Sequence, residues 1–105
     1  MFNIIARKTL LEFCDDYSEA RNRLLELYHE LLVSSFKNFN EFKLKYPKAS
    51  IVGDDRVVFN INGNKFRLVV RIVFEFKTIQ IKWFGTHADY DNIKVEHIQF
   101  KKSRK

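Results

Sequence analysis

Between positions 65 and 90 the chain carries the side-chain types that phosphate chemistry on RNA requires. Lys65, Arg67, Arg71 and Lys82 are fixed cations, and His87 and Tyr90 can donate or take a proton. RNA can be cut without a metal when its 2′-OH attacks the adjacent phosphorus and the 5′-oxygen leaves. A protein that helps must hold the phosphate in line, neutralise its equatorial oxygens, take one proton and supply another. Arginine suits the phosphate because its fork donates two hydrogen bonds and stays charged. Arg67 and Arg71 are therefore the catalytic candidates for charge stabilisation, with Lys65 and Lys82 as RNA-binding charge. His87 is the best acid or base, since an unperturbed imidazole titrates at about pH 6.5. Tyr90 can donate a hydrogen bond, stack on a base or act as an acid. With a pKa of about 10 it is a poor base unless cations lower it. The bland alternatives are a histidine that caps a loop and, for Arg71 and Lys82, two long side chains that splay into solvent.

The elements that must position these groups lie in VVFNINGNKFRLVVRIVFEFKTIQIKWFGTHADY, residues 57–90, which reads as three antiparallel strands and a short loop. Asn62-Gly63 between apolar runs signals a two-residue hairpin, because a type I′ turn needs positive φ twice. That turn pairs Ile61 with Asn64, Phe59 with Phe66 and Val57 with Leu68. Those residues share a face with Val70, Ile72 and Phe74, nearly all apolar, so this face should meet the helices. Val58, Asn60, Lys65, Arg67, Val69, Arg71 and Val73 take the opposite face. A four-residue loop from Glu75 to Thr78 pairs Phe74 with Ile79, Ile81 with Ile72 and Trp83 with Val70. Lys82 then falls opposite Arg71. Two cations across a ladder repel, and an anionic ligand between them removes the cost. The loop 85–90 begins close to Lys65 and Arg67.

Upstream, Phe2-Asn3-Ile4-Ile5 reads as a strand added to the sheet. Leu10, Phe13, Cys14 and Tyr17 recur at helical spacing from about Arg7. Ser18 is a candidate N-cap for a second helix with Leu24, Leu27, Tyr28 and Leu31 along one side. Asn38 to Tyr46 forms a third short helix, ended by Pro47. The tail FKKSRK, residues 100–105, reads as a mobile basic end. The 105 residues support one domain with one ordinary core. A net charge of +6 favours a polyanionic partner. One cysteine, Cys14, and a start without a signal-peptide pattern point to a reducing cytoplasm. No apolar run is long enough for a bilayer, so no membrane partner is expected. His29 reads as a helix-surface residue and His97 carries no motif. With three scattered histidines there is no zinc-ligand spacing. No phosphate-binding loop, dinucleotide fingerprint or nucleophile elbow occurs, so neither metal nor small-molecule cofactor is expected.

Over nearly its whole length the chain resembles the HigB-type toxins of bacterial toxin–antitoxin pairs, within the RelE-like superfamily. The start NIIARKTLLEF, the middle LKYPKAS, the strand pair VVFNINGNKFRLVVRI and the signature WFGTHADYD carry the likeness. The last two are the specific ones. The resemblance implies an α+β, RelE-like fold with N-terminal helices on one face of a small antiparallel sheet. It also implies an endoribonuclease that cleaves mRNA, commonly on the ribosome, and a cognate HigA-like antitoxin with a helix-turn-helix domain. Arg67, Arg71, Lys82, His87 and Tyr90 match both that signature and the face argument. The competing reading is a non-catalytic basic module that binds RNA or an acidic partner. Such a sheet should display stacking aromatics. Here most aromatics are expected on the buried side, with Phe84 and Phe76 as the exceptions.

Overall fold

The computed structural model describes residues 2–5, 7–93 and the backbone of 101–102. In chain order the elements are β1 (Asn3–Ile5), α1 (Arg7–Asp16), α2 (Arg21–Leu32), α3 (Phe39–Lys45), β2 (Ser50–Val52), β3 (Arg56–Ile61), β4 (Phe66–Val73), β5 (Thr78–Thr86), α4 (His87–Tyr90) and β6 (Lys101–Lys102). Leu10, Phe13 and Cys14 of α1, Leu24, Leu27 and Leu31 of α2 and Phe42 of α3 are buried. They share one core with Phe59, Ile61, Phe66, Leu68, Val70, Ile72, Ile79, Ile81 and Phe84 of the sheet. Each fully buried Leu, Ile or Phe contributes roughly 1.5–3 kcal/mol. Phe66 and Phe84 stack with ring centroids 5.5 Å apart, and Phe13 stacks on Phe84 at 5.3 Å. The expected α+β arrangement, with helices on one sheet face, is present.

The strand order is β1-β5-β4-β3-β2, with β6 also on β5. The β3–β4 and β4–β5 ladders are antiparallel, as expected, and β2, a strand not expected from the sequence, adds to β3 antiparallel as well. β1 and β6 instead run parallel to β5, so the sheet is mixed. The long path from β1 through the helices allows this, because a parallel neighbour needs a long crossover. Lys101 and Lys102 pair with β5 at Trp83 and Phe84. Part of the tail expected to be mobile is therefore tied to the sheet; Phe100, residues 103–105 and His97 lie outside the described residues.

Both hairpins differ from expectation by two positions. Asn62 and Gly63 do take positive φ, 54° and 68°. However, Ile61 pairs with Phe66, so four residues close the turn. Ile72 pairs with Ile79 instead of Ile81. A two-residue shift leaves the paired strand side chains on their expected faces, but it moves Lys65 off the strand and into the turn. The bulge on β5 does not keep the faces. Val70 pairs with Ile81 but Val69 with Trp83, leaving Lys82 as the extra residue. Trp83 thus turns away from the helices, against expectation, and Phe84 turns into the helical core, where it is fully buried. Lys82 is not opposite Arg71 either; Gln80 is. Trp83, Val58 and Val69 form a second small core on the far face, with Tyr90, Ile93 and Val52 packed against it.

The remaining corrections are local. Ser18 opens a 3₁₀ turn, Ser18–Ala20, and α2 begins after it without a side-chain cap. Asn38 caps α3 by accepting from the Glu41 N–H at 2.9 Å. Residues 87–90, expected as loop, form the single turn α4.

Candidate functional site

The site is built on the sheet face that the helices leave open. Alternation along β4 places Arg67 and Arg71 there, on either side of buried Val69. Arg67 sits between Asn60 of β3 and Gly85 of β5. Its Nη2 donates to Asn64 Oδ1 at 2.7 Å, which aims the guanidinium along the hairpin. The guanidinium carbon lies 5.9 Å from the centroid of the Tyr90 ring, a cation–π distance. Tyr90 in turn packs on Trp83, centroids 6.1 Å apart. The bulge is what makes this stack possible, because it turns Trp83 to the open face.

Helix α4 is fixed at its N-terminal end by two contacts. Thr86 Oγ1 accepts from the Asp89 N–H at 3.2 Å, an N-cap. The His87 N–H donates to the Lys65 carbonyl at 3.0 Å and ties the turn to the β3–β4 hairpin. His87 and Tyr90 are three residues apart and so share one side of the turn. The His87 imidazole is substantially exposed, and its Nδ1 lies 3.5 Å from Asp91 Oδ2.

A second cationic group lies further along the face. Arg71 donates from Nε to the Asp54 carbonyl at 3.1 Å, and its Nη2 is 3.7 Å from carboxylate oxygens of both Asp54 and Asp55. Those aspartates form the β2–β3 turn, both at φ 59°. The Asp55 carbonyl accepts from the Ile72 N–H at 3.0 Å, which holds the turn over β4. Arg56 pairs directly across the ladder from Arg71 and is only 2 % exposed. Its Nε is 3.7 Å from Asp54 Oδ2. Partial burial, then the Arg56 and Arg71 charges, push the Lys82 ammonium below the ordinary lysine pKa, against a smaller opposing effect from Asp54. The part of that depression that comes from the neighbouring cations is one an anion would relieve.

The sequence-level candidates therefore fall into three groups. Arg67 and Tyr90 are in contact, with His87 on the same turn as Tyr90. Arg71 and Lys82 form a second group. Lys65 belongs to neither: its Nζ is 2.7 Å from Glu19 Oε2 and pins the hairpin to the 3₁₀ turn on the helical side. Arg56 was missed. Counting the alternation of Val58 and Asn60 back by one more step would have placed it on the cationic face. Among the described residues no cluster of His, Cys, Asp and Glu has the makings of a metal cage.

Residues 20–93, which span all of these groups, match the family described as HigB toxin, the RelE-like toxic component of a toxin–antitoxin system. The chain belongs to the HigB toxin family. It is 27% identical over 97 residues to the mRNA interferase toxin HigB of Escherichia coli K12, covering 90% of this chain and 93% of that one. Identity and coverage are the same for the mRNA interferase HigB of Escherichia coli O157:H7 and that of Shigella flexneri. No helix among the described residues is long and apolar enough to cross a membrane.

Proposed function

We propose that this HigB-family protein, as a single domain over residues 1–105, is a metal-independent endoribonuclease that cleaves messenger RNA. It acts in the cytoplasm on the translating ribosome and is neutralised by a cognate HigA-like, helix-turn-helix antitoxin. In this reading the substrate 2′-oxygen bonds to phosphorus and the P–O5′ bond breaks. The 2′-OH gives up its proton and the 5′-oxygen receives one, leaving a 2′,3′-cyclic phosphate and a 5′-OH. Arg67 and Arg71 stabilise the crowded phosphorane, and Lys82 adds charge. His87 and Tyr90 manage the protons or position the scissile base. Lys65 contributes at most outlying charge, since Glu19 already neutralises it. The observation that carries the reading is the convergence of Arg67, Tyr90 and α4 on one open face. The names of the relatives, mRNA interferases, support the same activity.

The test is to translate a defined message with and without the purified protein and to map the new ends. Cyclic phosphate 3′ ends that appear only with the protein are the expected result. An intact message at concentrations that block protein synthesis would leave a non-catalytic binder as the better reading.

A further inference from the structure

A groove of about 630 Å³ runs along the outer edge of the sheet, away from the cationic face. It exists because β2 is shorter than β3. Ser50 pairs with Val58, and β2 does not continue beyond that point, whereas β3 runs on to Ile61. A strand directs alternate N–H and C=O groups to its two sides. At Asn60 the outward N–H and C=O therefore have no strand beside them among the described residues, whereas Phe59 and Ile61 direct theirs to β4. Phe59 and Tyr46 give the groove an apolar floor. Arg23, Lys45 and Lys48 supply its charge, and no acid lines it. Arg23 is occupied by Glu26 and Glu30. Lys45 and Lys48 are exposed and, among the described residues, have no carboxylate partner.

An open strand edge, an apolar floor and two lysines without carboxylate partners, Lys45 being held by the Ser34 hydroxyl at 2.8 Å, fit one kind of occupant: an extended peptide carrying acidic residues. The backbone would supply the ladder and alternate side chains the fit. We propose that an acidic segment of the antitoxin adds as a strand to the outer edge of β3, in line with β2. The proposal rests on the toxin–antitoxin reading above. Its consequence reaches the cationic face through one residue. Asn64 lines the groove, and Asn64 Oδ1 is the acceptor that holds Arg67. A strand seated against Asn64 would redirect the Arg67 guanidinium without covering it. Inhibition would then reach the site from its flank.

The experiment compares the free protein with its complex with full-length antitoxin. Amide exchange at Asn60 should slow by about tenfold or more in the complex, as expected for an amide that gains a ladder partner. Lys45→Glu/Lys48→Glu should weaken antitoxin binding by about tenfold or more. The milder Lys48→Glu should do so in part, which guards against a folding defect in the double variant. Message cleavage by both variants should stay near parental, because neither lysine belongs to the cationic face. Unchanged exchange at Asn60 in the complex overturns the proposal, as does unchanged affinity of the double variant. Loss of affinity for single-stranded RNA with antitoxin binding intact would make the groove an RNA channel and also overturn it. If the parent protein cleaves no message while the exchange and charge effects both appear, the nuclease reading fails and the docking site stands.

Discussion

Arg67 differs from the other cations of the open face in having its direction set twice, by Asn64 and by the Tyr90 ring. A preorganised donor of this kind acts without reorganising when charge develops. Arg67→Ala should lower message cleavage by about a hundredfold or more, by analogy with loss of an oxyanion donor. His87→Ala should cost about a hundred- to ten-thousandfold if it moves a proton. Folded variants that cleave like the parent would remove these residues from the mechanism. Lys82 carries a prediction of the opposite sign for stability. Its depressed pKa means that the folded state disfavours the charged form, so the stability it withholds returns as pH rises through that folded pKa. Lys82→Met should therefore raise the urea midpoint of the free protein at neutral pH, by an amount that shrinks as pH rises. The same variant should bind RNA more weakly. A midpoint that falls at neutral pH would mean that the stem of Lys82 contributes more by packing than its charge costs.

At the scale of elements, β5 decides what each face contains. Its alternation in Ile79 and Ile81 was legible, and so were the positive-φ turn at Asn62-Gly63 and the faces of β3 and β4. Errors of two in register left the faces of the paired strands unchanged because side chains alternate with a period of two. The bulge at Lys82 was not legible by alternation alone, since one inserted residue exchanges the faces of everything after it. Two adjacent large aromatics, Trp83 and Phe84, were a hint that both faces there are covered. Arg56 was legible by one more step of alternation, but its burial beside Asp54 was not, because a turn fixes side-chain direction only once the fold is known. The turn α4 was legible as composition but not as helix, being four residues long. The exchange of faces gives a direct test. Phe84→Ala should destabilise by about 3–5 kcal/mol, the cost of emptying a core site. Thr86→Ala should cost about 0.5–2 kcal/mol, as a lost cap does. Urea unfolding monitored at Trp83 reads both. A Phe84 variant as stable as the parent would contradict the burial of that ring against Phe13 and Phe66.

For the whole molecule, the excess positive charge is unevenly used. The helical side of the hairpin neutralises Lys65 with Glu19, whereas the open face keeps Arg67, Arg71, Lys82 and Arg56 together with Asp54 and Asp55. RNA binding to that face should weaken steeply with salt. For single strands the slope of log affinity against log salt is about −0.7 per phosphate neutralised, so three cations would give roughly −2. Arg71 complicates this count in a way that can be measured. In the free protein its nearest anions are the two aspartates of the β2–β3 turn, so a phosphate must displace them. Exchange of one anion for another adds little to the release of salt ions. Asp54→Asn/Asp55→Asn should leave Arg71 open to solution anions. RNA affinity should rise at low salt, and the slope should steepen by up to about 0.7 because one more contact now releases counter-ions. Arg71→Ala in the parent background should then lower affinity while changing the slope less than Arg71→Ala in the double variant does. Equal slopes in all four proteins would show that Arg71 meets no phosphate, and would leave Arg67 as the arginine that binds RNA.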